Sequence, residues 1–180
     1  MRAARHTQIH LVCHGEFVGA EMCFPAARSV SLTAAGREQA QHVADFIAAR
    51  RPSCLYTSPL RRALETAEAI AARLEFAPKV RPDLRGGRPV DPDELALTAA
   101  RASSELGRIA RLHRGEQVVC VTHQDVIVAS VLRYSGRSYA ACDEVPVGFG
   151  SVWTLSLVGG HVGVRYVDHG EIASRVAAVL

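Results

Sequence analysis

The sequence predicts one α/β domain, a mostly parallel sheet with helices on both faces. Short apolar runs alternate with amphipathic stretches along the whole chain. One such run, Val118-Val119-Cys120-Val121, has no polar side, as a strand buried on both faces of a parallel sheet requires. The length of 180 residues suits one domain with a real core and is short for two, so residues 1–180 are read as a single domain.

The elements follow in order. Residues 8–13 read as a first strand, ending at Cys13-His14-Gly15-Glu16. Thr33 is placed as the N-cap of a helix whose Ala40, Val43, Ala44, Ile47 and Ala48 recur at helical spacing. Cys54 to Thr57 reads as a short buried strand. Ser58-Pro59 then reads as a helix start, with Ser58 as cap, Pro59 in the first turn, and an apolar face through Leu60, Ala63, Leu64, Ala67, Ala71 and Leu74. Lys79 to Arg81 is a candidate short strand. Asp83 to Pro92, rich in Gly, Pro and charge, reads as a loop. A helix is expected over Glu94 to His113, through Leu95, Ala99, Ala102, Leu106 and Ile109. The strand Val118 to Val121 ends at Thr122-His123, and a helix is expected over Asp125 to Tyr134. Ser151 to Leu157 and Val162 to Val167 are spaced for a hairpin around Gly159-Gly160, and the tail from Glu171 is helical in pattern.

Composition narrows the function. Apolar residues make up 48%, charged residues 22%, and the net charge is +3, which is ordinary for a soluble globular domain. No Lys/Arg block with interleaved aromatics marks a nucleic-acid surface. No segment approaches the roughly 20 apolar residues needed to cross a bilayer, so no membrane partner is expected. The basic start, Met1 to His6, lacks the long apolar stretch of a signal peptide. The cysteines Cys13, Cys23, Cys54, Cys120 and Cys142 have no paired spacing, which fits a reducing, cytoplasmic location. The histidines outside the strand ends (His6, His10, His42, His113, His161, His169) show no metal-ligand spacing. The sequence sets no oligomeric state.

Chemistry concentrates at the strand ends. In a parallel sheet the carboxyl ends of the strands share one edge, where ligands bind. His14, Ser58 and His123 each end a strand, and Arg62 follows Ser58 by four residues, on the same helix face if Ser58 opens the helix. Imidazole can attack phosphorus to give a covalent phosphohistidine. A guanidinium fork holds phosphate oxygens, and a helix N-terminus adds positive potential. Together these point to a phosphoryl site with His14 as nucleophile. Arg61 is read as a surface charge.

The motifs resemble those of the histidine phosphatase superfamily, also called the phosphoglycerate mutase-like family. The likeness spans roughly residues 8–157. The family's Arg-His-Gly-Glu is matched by Cys13-His14-Gly15-Glu16. Its Leu-Thr-x-x-Gly-x-x-Gln-Ala is matched by Leu32-Thr33-Ala34-Ala35-Gly36-Arg37-Glu38-Gln39-Ala40. Its Ser-x-x-x-Arg-Ala-x-x-Thr-Ala is matched by Ser58 to Ala67, and its second histidine after an apolar strand by Val121-Thr122-His123. The resemblance implies a three-layer, doubly wound sheet, parallel except for one strand. It implies His14 as nucleophile, Arg62 as phosphate clamp, His123 as hydrogen-bond partner of the phosphoryl group, and Ser58 as a support of the pocket. Gly15, Glu16 and Cys13 line the substrate side by their place in the motif. It implies no metal or organic cofactor, and a phosphorylated small molecule or phosphoprotein as partner. The short chain is closest in pattern to short bacterial phosphatases of the superfamily.

This chain departs from the family pattern at three places. Cys13 replaces the arginine that grips the phosphoryl group; losing one such donor costs about 10²–10³ in rate. Arg85-Gly86-Gly87-Arg88 carries no carboxylate where many members have a glutamate that protonates the leaving group, a contribution of about 10²–10⁴. Short phosphohistidine phosphatases of the superfamily also lack it and act on a P–N bond. Asp125 is a substitute acid or simply a helix N-terminal carboxylate. Gln124 replaces a common glycine and narrows the pocket. Arg28, Arg85 or Arg88 could replace the missing guanidinium, against the plainer reading of exposed loop arginines. Cys13 itself is a poor nucleophile, because no cysteine here precedes an arginine by the spacing of cysteine phosphatases. The expected function is hydrolysis of a phosphomonoester or phosphoramidate through phospho-His14. The alternative is a degenerate domain that binds a phosphorylated ligand without turnover; a mutase fits least.

Overall fold

The structure, a computed structural model, describes residues 6–20, 29–86 and 90–178. Six strands form one sheet: β1 (Thr7–Cys13), β2 (Cys54–Thr57), β3 (Lys79–Val80), β4 (Gln117–Thr122), β5 (Val152–Val158) and β6 (His161–Val167), in the order β3-β2-β4-β1-β5-β6. The β1–β4, β4–β2 and β2–β3 pairings are parallel, and β1–β5 and β5–β6 are antiparallel. β6 therefore runs with β1, and β5 alone runs against the rest. Five helices connect and cover the strands: α1 (Ala34–Ala48), α2 (Arg61–Leu74), α3 (Pro92–Leu112), α4 (Gln124–Ser135) and α5 (His169–Ala177).

Side-chain alternation along the strands divides the core into two layers. Ile9, Leu11 and Cys13 of β1, with Val118 and Cys120 of β4, pack under Leu95, Leu106 and Ile109 of α3 and Ile127 and Leu132 of α4. Val12, Val119 and Val121 face the other way, under Val43 and Ile47 of α1, Ala67 and Ile70 of α2, and Ile172 of α5. The fully apolar pattern of β4 is the consequence of two covered faces.

Several boundaries differ from the sequence expectation. Helix α3 starts at Pro92, because the Asp91 side chain accepts from the Glu94 amide and caps it. Ser58-Pro59 does not start α2. The helix begins at Arg61 behind Leu60, and Ser58 Oγ accepts from the Leu60 amide at 3.2 Å in a local turn. Ser58 and Arg62 thus do not share a helix face. Pro82–Leu84 forms a 3-10 turn within the expected loop. Asp168 caps α5, which begins at His169 and packs on α1 through the fully buried Ile172.

Candidate active site

Strand register brings the predicted residues to one edge. Cys13 lies opposite Thr122, and Thr57 opposite Val121, so His14, Ser58 and His123 leave the sheet side by side. The His14 amide bonds the Thr122 carbonyl at 3.2 Å, and the Ser58 amide bonds the Val121 carbonyl at 2.9 Å. All three side chains are buried, as is Arg62. The His14 and His123 rings meet edge to face, 4.9 Å between centroids.

The loop after β1 is locked onto two helix starts. The Gly15 amide donates to Thr66 Oγ1 at 3.1 Å, and that hydroxyl donates to the Arg62 carbonyl at 2.8 Å. The Glu16 amide donates to Gln39 Oε1 at 2.8 Å, and the Thr33 hydroxyl donates to the Glu16 carboxylate at 2.9 Å. Gly15 and Gly36 are needed for a close approach of backbones. A Cβ on Gly36 would fall 1.9 Å from the Glu16 carbonyl oxygen, and one on Gly15 2.3 Å from that of Gly36. From the other side, the Gly150 amide reaches the carbonyls of Cys13 and His14, each at 3.2 Å.

This frame sets the state of His14. Its Nδ1 lies 2.8 Å from the Gly15 carbonyl, which can only accept, so Nδ1 carries the proton and Nε2 the lone pair. Arg62 Nε–H donates to that Nε2 at 3.1 Å. Burial lowers the His14 pKa to about 3 against the opposing Gly15 carbonyl bond, and the nearby Arg62 charge lowers it further. The ring is a neutral base at physiological pH. The His123 pKa is also held well below the usual value, by burial first and then by His14 and Arg62. His123 Nε2 meets Ser58 Oγ at 2.7 Å, while its buried Nδ1 has no hydrogen-bond partner among the described residues. If the Ser58 hydroxyl donates to Nε2, Nδ1 bears a proton and is a donor for an oxyanion. Phe17 and Phe149 flank His14 at 5.4 and 5.9 Å, and the Arg62 guanidinium lies over Phe17 at 4.9 Å. A neutral imidazole lone pair, a guanidinium and an uncommitted imidazole nitrogen in one buried edge can accept a phosphoryl group.

A family model of the histidine phosphatase superfamily, branch 1, matches residues 9–88 and 86–168. The chain belongs to the histidine phosphatase superfamily. Phosphoglycerate mutase-like protein 4 of Arabidopsis thaliana is 31% identical over 161 residues, covering 68% of this chain and 68% of its own length. An uncharacterized protein of Mycobacterium tuberculosis is 32% identical over 148 residues, covering 66% of this chain and 73% of that protein. Among solved structures, YhfR of Bacillus stearothermophilus superposes with TM-score 0.80 at 22% identity, over 91% of this chain and 98% of that one. Phosphoserine phosphatase of Entamoeba histolytica, in complex with 3-phosphoglyceric acid, gives TM-score 0.79 at 20% identity, over 91% and 98%. These structural likenesses establish the phosphoglycerate mutase-like fold.

The superfamily's motif positions divide in this chain. His14, Ser58, Arg62 and His123 converge, with Gly15 serving through its backbone. The Glu16 carboxylate is spent on Thr33 at the start of α1. Cys13 points to the α3/α4 layer, where burial, reinforced by the Asp125 charge, pushes its thiol up to about 12. It is a neutral packing group. Gln124 is exposed and Arg85 is exposed, whereas Arg28 and Arg88 lie outside the described residues. Arg61 is a surface charge paired with Glu65 at 2.8 Å. Among the described residues no group of three or more His, Cys, Asp or Glu is arranged to hold a metal ion, and no described helix is long and apolar enough to cross a membrane. Sequence reasoning missed the positioning of Gly15 by Thr66, although Thr66 stands four residues after Arg62, on its helix face. It also missed the aromatic rim. Phe17 directly follows the first motif, but Phe149 lies in an irregular segment with no periodicity to flag it.

Proposed function

We propose that this protein is a phosphatase that hydrolyses phosphate monoesters through transient phosphorylation of His14. The observation that carries the reading is the His14 tautomer: Nδ1 held by the Gly15 carbonyl, Nε2 neutral and facing Arg62. On substrate binding, the Arg62 guanidinium turns from Nε2 to the phosphoryl oxygens, which frees the lone pair for in-line attack. His123 Nδ1 supplies a second donor to the oxygens. The substrate class is a phosphorylated small molecule, in line with phosphoserine and 3-phosphoglyceric acid, the compounds bound in the Entamoeba histolytica phosphoserine phosphatase structures. Phosphoramidates and phosphoproteins are further candidates, and the cytoplasm is the proposed location.

A second reading has its own support. Arg62 is the one buried cation among the described residues, because a neutral thiol stands at position 13. A binding domain without turnover would need no second guanidinium. One experiment separates the two. The protein is mixed with aryl and acyl phosphates and a phosphohistidine peptide, then assayed for phosphate release and an acid-labile phosphoenzyme. The expected result is turnover and a phosphoenzyme, both lost in His14→Ala. Phosphate binding that depends on His14, with no turnover of any substrate, would establish the binding reading instead.

A further inference from the structure

The helices run back against the strands they follow, so the carboxyl ends of α1, α2 and α5 lie at the sheet edge opposite His14. There they enclose a cleft of about 540 Å³. Small-molecule sites span roughly 300–1,000 Å³. Phe46, Ala49 and Val176 give the cleft an apolar lining, and Arg50, Arg73 and Arg175 reach it from three separate segments. The three arginines are not alike. Arg73 and Arg175 stand in the last turns of α2 and α5, where a cation offsets the helix dipole. Each has a carboxylate partner, Arg73 with Asp45 at 2.6 Å and Arg175 with Glu171. Arg50 lies beyond the end of α1 and, among the described residues, has no carboxylate partner. Its guanidinium donates to the Phe46 carbonyl and lies over the Phe46 ring, 3.4 Å from the centroid. These contacts fix the group in place without cancelling its charge. Burial first, then the charges of Arg175 and Arg165, lower the Arg50 pKa, so like charges crowd a partly buried cation.

We infer that this cleft is a second binding site, for an organic anion with an aryl or alkyl body. The anionic head pairs with Arg50, and the body lies along Ala49 and Val176. A carboxylate, sulfonate or phosphate head suits the site, because the guanidinium fork pairs with oxyanions. The head supplies the countercharge that Arg50 lacks, and the body takes apolar surface out of water. A neutral ligand of the same shape gains only the second. The site stands apart from the strand-end edge, so the inference does not depend on turnover at His14.

The test titrates the full chain with two fluorescent probes. One is 8-anilinonaphthalene-1-sulfonate; the other is N-phenyl-1-naphthylamine, which has the same aryl groups and no charge. The sulfonate should saturate one site and bind at least about tenfold more tightly than the amine, the worth of one hydrogen bond to a charged group. Arg50→Gln should remove that advantage, weakening the sulfonate about tenfold or more and the amine less than about twofold. Ala49→Trp, at an exposed position on the cleft, fills the space and should abolish binding of both probes. Arg62→Ala should leave sulfonate binding unchanged, which separates the cleft from the strand-end edge. Near-UV circular dichroism of each free variant shows that it is folded. Should Arg50→Gln misfold, the probe comparison and Ala49→Trp carry the test. Equal affinity for the two probes, sulfonate binding that survives Arg50→Gln or Ala49→Trp, or its loss in Arg62→Ala would overturn the inference.

Discussion

The two sides of the site are built differently. On the α1/α2 side, His14, Gly15 and Arg62 are held through backbone: the Gly15 amide on Thr66, the Thr66 hydroxyl on the Arg62 carbonyl, the Gly36 backbone against Glu16. On the α3/α4 side, Cys13, Gly86, His123 and Asp125 meet largely through side chains and the space they leave. Positions 13 and 86, where the sequence departs from the motifs that the resemblance implies, lie on this second side. The difference has a physical reason. A group fixed by interlocked backbones cannot change without moving the chain. Where side chain meets side chain, a change of residue needs only local repacking.

The largest expected effect is on the locked side. Arg62→Ala removes the buried guanidinium and the donor on His14 Nε2 together. We expect kcat/KM to fall by at least about 10²–10³, the cost of one preorganised donor, measured on 2,4-dinitrophenyl phosphate so that leaving-group protonation plays no part. Arg62→Lys is expected to recover little, because a point charge does not reproduce the fork. A fall of less than about tenfold, a small share of one donor's worth, would mean that the second side supplies its own phosphate grip.

Acidification probes both sides at once. His10 is held down to a pKa of about 4 and His14 to about 3, chiefly by burial, and His123 is lowered as well. Depressed folded values mean that this stability is fully present above about pH 6.5, the unfolded value. It is lost as pH falls toward the folded values, while the unfolded chain takes up protons that the folded one refuses. Each histidine contributes a slope approaching about 1.4 kcal/mol per pH unit. Urea unfolding from pH 7 to pH 4.5 should therefore show steepening loss. His14→Gln and His123→Gln should each remove about one proton from the slope. A variant that leaves the slope unchanged would mark its histidine as charged in the native protein.

How much of this was legible in the sequence follows the same division. That His14, Arg62 and His123 would meet at one edge was readable because strand ends and a helical face are periodic features, and periodicity survives in one dimension. The apolar face of α3 was readable: Leu95, Ala99, Ala102, Leu106 and Ile109 are all buried, whereas the buried Thr98 and Glu105 were not flagged by an apolar pattern. Ser58-Pro59 misled, because it copies a cap-and-proline signal that is genuine at Asp91-Pro92. The pocket competes for Ser58 Oγ, through His123, and α2 starts later. Phe149 and the closeness of Gly86 to Asp125 depend on contacts between distant segments, which no local pattern encodes, whereas the packed thiol of Cys13 follows from strand alternation.

A smaller expected effect on the locked side comes from Thr66→Val. It keeps the shape but strands the buried Gly15 amide, at a cost of about 1–3 kcal/mol. The nucleophile loop loses its tie to α2, so kcat should fall more than KM rises, on a protein that still folds. An unchanged kcat would show that the Gly36 and Gly150 contacts suffice to hold His14.

The smallest effect is expected at Cys13, on the α3/α4 side. The residue sits in the α3/α4 core layer with a neutral thiol, next in sequence to the nucleophile yet facing the opposite way. Cys13→Ala should cost about 1 kcal/mol, as a lost small buried group does, and the phosphoenzyme should still form on His14. The contrast with Arg62→Ala then measures how much of the site's grip has passed to one side. Loss of the phosphoenzyme in a folded Cys13→Ala protein would place the thiol in the chemistry and break the division between the two sides. Cys13→Arg sharpens it further. The guanidinium would enter a buried layer within electrostatic reach of Asp125, and it should raise kcat/KM on 2,4-dinitrophenyl phosphate; no gain would mean that this side has diverged beyond one residue.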